Sequence, residues 1–252
     1  MEKYIVKESE SNKRIDGFLS EKEEELSRTA IQRLIEEGNI LVNYKKVKVS
    51  YKIQKDDEIK LIVIGDNPGK DEQLLKNNRY LVGQAGKIAD GFFKRNPELQ
   101  TDFRKNVIIL NKTPVHSAKT AQLKKIMKDG GEKICRLVEE SQLWMAEQTA
   151  KLHCALVEGA ESVQGAAGGV FPVPELWLVG YSELKPKHFF IPYRDRLKAT
   201  YQAQNPEVWN KVYVFQHFSM NRFTIDLSEF SDEVSLQKIH ELGIKHKNEI
   251  FD

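Results

Sequence analysis

The segment from Leu61 to Gln73, Leu-Ile-Val-Ile-Gly-Asp-Asn-Pro-Gly-Lys-Asp-Glu-Gln, constrains this chain more than any other. Its apolar, mostly β-branched start reads as a strand buried on both faces, as in parallel sheets. Open sheets of that kind place ligands beyond the carboxyl ends of their strands. Gly65 and Gly69 permit a tight turn there and Pro68 stiffens the exit, so Asp66 and Asn67 are held at the sheet edge on short side chains. Two later segments repeat the design: Val107 to Pro114 delivers Asn111, and Val212 to Arg222 delivers His217. Leu176 to Gly180 supplies a fourth strand. Amphipathic stretches separate these strands, the longest running from Glu132 to Glu158, and Ala160 to Pro174 reads as a Gly/Ala/Pro loop. Strands alternating with helices predict an α/β fold, a parallel sheet covered on both faces.

Composition narrows the class. At 252 residues, with 40% hydrophobic and 30% charged side chains, the chain suits a globular protein of one large or two small domains. Its apolar strand candidates run to about five residues, far short of the ~20 that span a bilayer. The charged start, Met1 to Glu8, is unlike a signal peptide. Cys135 and Cys154 read as apolar fillers of a reducing compartment, so a cytoplasmic location is expected, with no membrane, metal or cofactor. The net charge of +2 says little, but residues 104–136 carry nine Lys or Arg against Asp129 and Glu132. That stretch either tracks a phosphate backbone or forms a solvated helix face.

Residues 1–61 have a different texture. Ser27 is a good N-cap for a helix whose Ala30, Ile31, Leu34 and Ile35 share one face, and Gly38 is suited to close it. Ile40 to Val49 reads as a hairpin turning at Asn43-Tyr44-Lys45, and Lys52 to Leu61 as a further strand with Asp56-Asp57 at a turn. Together with Arg14-Ile15-Asp16, Ser27-Arg28, Glu37, Val42, Val47 and Asp57, this pattern resembles the small αL RNA-binding domain of a small-subunit ribosomal protein, which also begins many bacterial pseudouridine synthases. The resemblance implies structured RNA as a partner, bound by Lys13, Arg14, Arg28, Arg33, Lys45, Lys46 and Lys48. Basic and acidic residues balance at 13 each over residues 1–62, so a basic face needs segregation of charge.

Residues 62–252 carry a second resemblance. Gly65 to Gly69 followed by Tyr80 to Gly86, then Val107 to Pro114, Leu176 to Gly180 and His217-Phe-Ser219 are similar, in order and spacing, to the motifs of the uracil-DNA glycosylase superfamily. It implies a three-layer α/β/α fold with a short four-stranded parallel sheet, and hydrolysis of the N-glycosidic bond of uracil or a related damaged base in DNA, for base-excision repair. Such chemistry needs a flipped base, a held water and donors aimed at the departing base. The resemblance assigns Asn67 or Asp66 to the water, His217 to the leaving base, and Asn111 to reading the pyrimidine edge. Tyr80 or Leu81 would lie against the base beside Gly65 and Gly69, with Lys112, Ser117, Lys119, Ser219 and Arg222 on the DNA backbone.

The expected partner is therefore uracil-containing or damaged DNA, met by a monomer. Two alternatives stand beside this: an inactive nucleic-acid-binding protein on a glycosylase fold, and an RNA-modification-associated factor. The Arg-Leu-Asp motif of pseudouridine synthases is absent beyond residue 60. The junction is abrupt, since the last strand of the first part and the first strand of the second both claim Leu61.

Overall fold

The computed structural model describes residues 6, 10–22, 26–37, 39–42, 45–53, 59–72, 74–77, 79–117, 119–167 and 172–252. The chain divides into two compact units, Met1–Ile59 and Lys60–Asp252.

In the first unit, α1 (Ile15–Lys22) packs on α2 (Arg28–Glu37). The Ser27 hydroxyl accepts the Ala30 amide at 3.2 Å, the N-cap bond its position predicts. Short antiparallel strands β1 (Leu41–Val42) and β2 (Lys45–Lys46) follow. The expected hairpin is thus reduced to two pairs of residues; its turn at Asn43-Tyr44 and the closing Gly38 lie outside the described residues, as do Asp56 and Asp57. Ile15, Phe18, Leu19, Ile31, Ile35 and Ile53 form the core.

The second unit is built on four parallel strands, β3 (Leu61–Gly65), β4 (Val107–Asn111), β5 (Glu175–Val179) and β6 (Val212–Phe215), in the order β4-β3-β5-β6. Leu61 belongs to this sheet. All five residues of β3 are buried, as a central strand requires. Side-chain alternation divides the core. Ile62, Ile64, Leu176, Leu178, Val212 and Val214 face α4 (Thr120–Ala167) and α5 (Ile191–Gln204). Leu61, Val63, Trp177, Val179, Tyr213 and Phe215 face α3 (Gln84–Arg95), α6 (Arg222–Phe230) and α7 (Leu236–Phe251).

Helix α4 departs from expectation at both ends. It starts at Thr120 and continues to Ala167, so part of the expected Ala160–Pro174 loop is helical. It is broken at Gly131, whose φ of 69° and ψ of −169° leave the helical region. Before that break, residues 120–130 bury fully only Leu123, and Lys124, Lys125 and Lys128 are exposed. The basic stretch is thus largely a solvated helix surface. Among the described residues no helix is long and apolar enough to cross a membrane.

One buried histidine supports the α4–α5 face. His153 Nδ1 lies 2.7 Å from the Tyr201 hydroxyl and Nε2 lies 2.9 Å from the Pro174 carbonyl oxygen. The carbonyl can only accept, so Nε2 carries the proton and Nδ1 accepts from Tyr201. Burial pushes the imidazole pKa down to about 4, against 6.5 in an open chain. The folded state refuses a proton that the unfolded state takes between those values. The stability from this site is therefore complete above about pH 6.5 and lost as pH falls to about 4, an amount on the order of 3 kcal/mol. Linkage from denaturant titrations should show wild type gaining about one more proton on unfolding than His153→Phe at pH 5, and about a quarter of one at pH 7.

Candidate functional site

The carboxyl ends of β3, β4 and β5 meet at an ion pair whose lysine is buried. Lys112, immediately after β4, is fully buried, and its Nζ donates to Asp66 Oδ1 at 2.5 Å and to the Val179 carbonyl oxygen at 2.5 Å. The ammonium also lies 5.0 Å from the Phe190 ring centroid. Burial pulls the Lys112 pKa down while Asp66 pulls it up. Gly180, just past β5, makes room for the pair: a Cβ there would fall 2.3 Å from Asp66 Oδ1 and 3.0 Å from Lys112 Nζ, and its φ of 94° is a glycine conformation. A lysine expected on a nucleic-acid backbone is instead sealed inside the sheet edge. Asp66 is tied to it, and with 17% of its side chain exposed remains the carboxylate open to the surface.

Asn111 lies beside this pair, at the end of β4 and paired with Gly65. It is 2% exposed, and its Nδ2 is buried without a hydrogen-bond partner. A Cβ on residue 65 would lie 2.6 Å from Asn111 Oδ1, so Gly65 is what admits the amide. An orphaned amide donor at a strand end is an unspent capacity to bind an acceptor.

His217 completes the edge beyond β6. Its Nδ1 accepts the Ser219 amide proton at 3.0 Å and stands 2.8 Å from Ser219 Oγ. The proton of the neutral ring therefore sits on Nε2, which is left as a donor. Burial lowers the His217 pKa, Asp66 opposes that and Lys112 adds to it. Ser219 thus orients a histidine rather than standing free for a phosphate. The turn that follows holds Met220 and Asn221 at φ of 53° and 56°, with Met220 76% exposed, and Arg222 opens α6 in solvent.

Asn67 is placed differently from expectation. Its Nδ2 donates to Ser117 O at 2.9 Å, Ser117 Oγ at 3.1 Å and Pro68 O at 3.2 Å, and its Oδ1 receives Thr120 Oγ1 at 3.4 Å. An amide so engaged braces the two loops and has no donor left for a water. Ser117 is buried and donates to Lys119 O at 2.9 Å, so it too is structural; His116 Nδ1 is spent on Pro68 O at 2.9 Å. Lys119 itself is exposed.

The loop bearing Tyr80 and Leu81 is pinned by two residues the sequence did not single out. Glu72 accepts the Gly69 amide at 3.1 Å and the Leu81 amide at 2.9 Å. Arg104 Nη2 donates to Leu81 O at 2.8 Å and Gly86 O at 3.3 Å. Leu81 is buried in a left-handed conformation, φ 50°, packed into the α3-side core, which removes it from a base-contacting role. Tyr80 is half-buried. Glu72 was legible only as a carboxylate after a glycine turn, and Gly180 only as a strand-end glycine.

In the first unit a buried carboxylate organises the basic residues. Asp16 receives Arg14 Nε and Nη2, Arg28 Nε and Gln32 Nε2 at 2.7–3.1 Å, together with the Gly17 amide at 3.0 Å. Burial raises its pKa, but bonds from Arg28, Gln32 and Arg14 outweigh that and hold the carboxyl well below the usual carboxylate range. Arg14 and Arg28 keep 48% and 54% of their side chains exposed, so both guanidinium groups are fixed at the surface. Lys13 pairs with Glu21 at 2.6 Å and Arg33 with Glu37 at 2.9 Å. The backbone of Lys45 and Lys46 forms β2; their side chains lie outside the described residues.

Residues 13–59 match the S4 domain, so the αL resemblance of the first unit holds. The chain is similar to the protein named uncharacterized RNA pseudouridine synthase YlyB of Bacillus subtilis, 39% identical over 56 residues, 22% of this chain and 18% of that protein. It is also similar to an uncharacterized RNA pseudouridine synthase of Chlorobaculum parvum, 44% identical over 48 residues, 19% of this chain and 15% of that protein. The chain thus spans less than a fifth of the length of these curated relatives. No solved structure matches it.

These findings correct the expectation of a uracil-DNA glycosylase. The matched domain is an RNA-binding one, and both relatives are named for RNA. N-glycosyl hydrolysis in DNA, a base-excision-repair role and uracil-containing DNA as the partner are therefore set aside. Motifs of three to eight residues recur wherever a parallel strand ends in a polar turn, and the spent amide of Asn67 and the sealed Lys112 depart from the roles they implied.

The strand-end ion pair can be tested directly. Gly180→Ala adds a methyl within 2.3 Å of Asp66 Oδ1 at a left-handed position, so urea titration should show a loss of at least ~1 kcal/mol. Lys112→Met, which leaves Asp66 without its cation, should cost about 3 kcal/mol.

Proposed function

We propose that this protein is an RNA-binding, RNA-modification-associated factor. Its S4 domain engages structured RNA, and the strand-end cluster of its second unit meets a nucleotide of that RNA. The observation that carries this reading is the Asp16 network, which fixes Arg14 and Arg28 half-exposed on a domain matched as S4. Guanidinium groups fixed in place lose little freedom on meeting phosphates, and their planar forks suit bidentate contact. Lys13, Arg33, Lys45 and Lys46 extend the same contact by long-range charge. The relatives' names, both RNA pseudouridine synthases, support an RNA-modification setting.

We divide the protein into an RNA-binding module and an α/β domain, and place their boundary between Ile59 and Lys60 rather than after Leu61, because Leu61 pairs within the parallel sheet. The finer architecture we assign to the latter is the uracil-DNA glycosylase-like α/β/α arrangement, as a fold alone; the all-parallel order β4-β3-β5-β6 with helices on both faces supports it. Within it, Asp66, Asn111 Nδ2 and His217 Nε2 form the nucleotide-facing edge, an acceptor and two donors matched to the polar edge of a base. Gly65 seats Asn111, Ser219 orients His217, Gly69 and Asn67 shape the adjoining loop, and Tyr80 with exposed Lys119 and Arg222 flanks it.

Fluorescence anisotropy of the full chain with a labelled RNA hairpin tests the reading. Arg28→Glu should weaken binding at least tenfold and lower the slope of log affinity against log salt by about one. The reading fails if Arg28→Glu combined with Arg14→Glu binds the hairpin as wild type does. It also fails if a uracil-containing DNA duplex outcompetes the hairpin.

A further inference from the structure

A cavity of about 450 Å³ opens beside α3, separate from the residues of the strand-end cluster. Lys87, Asp90 and Lys94 reach it from one face of α3, Asn77 and Arg79 from the loop before that helix, and Arg104 from the loop before β4. With Val82 and Asp102 the lining has eight residues, four of them cations and two of them carboxylates. The acidic groups around it are already engaged: Asp90 accepts Lys94 Nζ at 2.7 Å, and Asp102 accepts the backbone amides of Arg104 and Lys105 at 2.8 and 3.1 Å. Arg79 and Lys87 are exposed, and among the described residues neither forms an ion pair.

Arg104 carries the argument. Its Nη2 is committed to the Leu81 and Gly86 carbonyl oxygens, and its guanidinium carbon lies 4.8 Å from the Phe103 ring centroid. Its Nη1 is buried and has no hydrogen-bond partner. Burial lowers the Arg104 pKa and the like charge of Arg79 lowers it further, while Asp90, Asp102 and Glu72 raise it. Those carboxylates offset part of the charge but none accepts from Nη1, and a buried donor without an acceptor is unfavourable.

We propose that this cavity binds a phosphate group, with Arg79 and Lys87 as its ligands and the Arg104 guanidinium supplying charge behind them. Exposed Arg79 and Lys87 beside the Arg104 charge match a phosphate, the Arg79 fork suits its oxygens, and the volume suits a nucleotide-sized ligand. The phosphate comes either from the RNA backbone, an option resting on the S4-based reading, or from the 5′ end of a free nucleotide.

Calorimetry on the full chain at low salt, with inorganic pyrophosphate, uridine 5′-monophosphate and a 12-residue oligoribonucleotide bearing hydroxyls at both ends, tests this. Pyrophosphate should bind, and Arg79→Glu/Lys87→Glu should weaken it at least tenfold, whereas Lys151→Glu, an exposed charge on α4, should leave it unchanged. Competition by the oligoribonucleotide identifies the RNA backbone as source; competition by the mononucleotide alone identifies a 5′-phosphate. Should the double variant melt below wild type without ligand, the single variants Arg79→Gln and Lys87→Gln replace it, each expected to lose about threefold or more. Failure of all three ligands to bind wild type overturns the proposal, as does equal pyrophosphate binding by wild type and the cavity variants. Either failure leaves the S4 reading standing, because the Arg28→Glu effect on hairpin binding is measured on the other unit.

Discussion

The ion pair between Lys112 and Asp66 is the constraint around which the second unit is arranged. A fully buried ammonium is tolerated only where its protons meet acceptors, and here a carboxylate on one strand end and a carbonyl oxygen on another supply them. This fixes the relative height of β3, β4 and β5 at their carboxyl ends. It also explains why residue 180 has no side chain, and it sets the field felt by His217, where a carboxylate and an ammonium act in opposite directions. Asn111 and Gly65 then share the remaining space, with the two protons of the amide nitrogen unpaired among the described residues. The edge is polar because an ion pair has been built into it.

A comparable device orders the first unit at smaller scale. Asp16 is buried among apolar neighbours and is stabilised by donors from two helices and the turn before them. The same bonds that keep the carboxylate ionised hold two arginines in place at the surface. In both units a carboxylate sets where cations stand, sealing one inward at Lys112 and presenting two outward at Arg14 and Arg28.

Strands were the legible part of this fold. Continuous β-branched runs such as Leu61 to Ile64 allow little besides a buried strand, and the polar turn after each marked the sheet edge correctly. The N-cap at Ser27 was equally plain, because capping is local chemistry. What the sequence hid was the partner of each polar residue. Lys112 next to Asn111 looks like any surface lysine until β5 supplies a carbonyl oxygen from 67 residues away. Asn67 looks available until Ser117 folds back onto it. Reading function from the same turns failed for that reason: the residue types were right for a base-handling site, but three-dimensional pairing had already used some of them. The end of α4 misled for another reason, since Gly, Ala and Gln in residues 159–167 mark a loop by composition while neighbouring turns still propagate the helix.

The break at Gly131 has a mechanical meaning. The eleven residues from Thr120 to Gly130 are helical, yet Leu123 is the one fully buried side chain among them, and Ile126 stands 42% exposed. Opening this stretch sacrifices little apolar contact, whereas the part of α4 beyond the break is fastened to α5 through Ala146, Ala150, Cys154 and Val157. A single helix therefore contains a soft end and a stiff end. Under digestion by a lysine-directed protease, or under tension along the chain, the lysine-bearing end is where the domain would yield first, with the sheet behind it still intact.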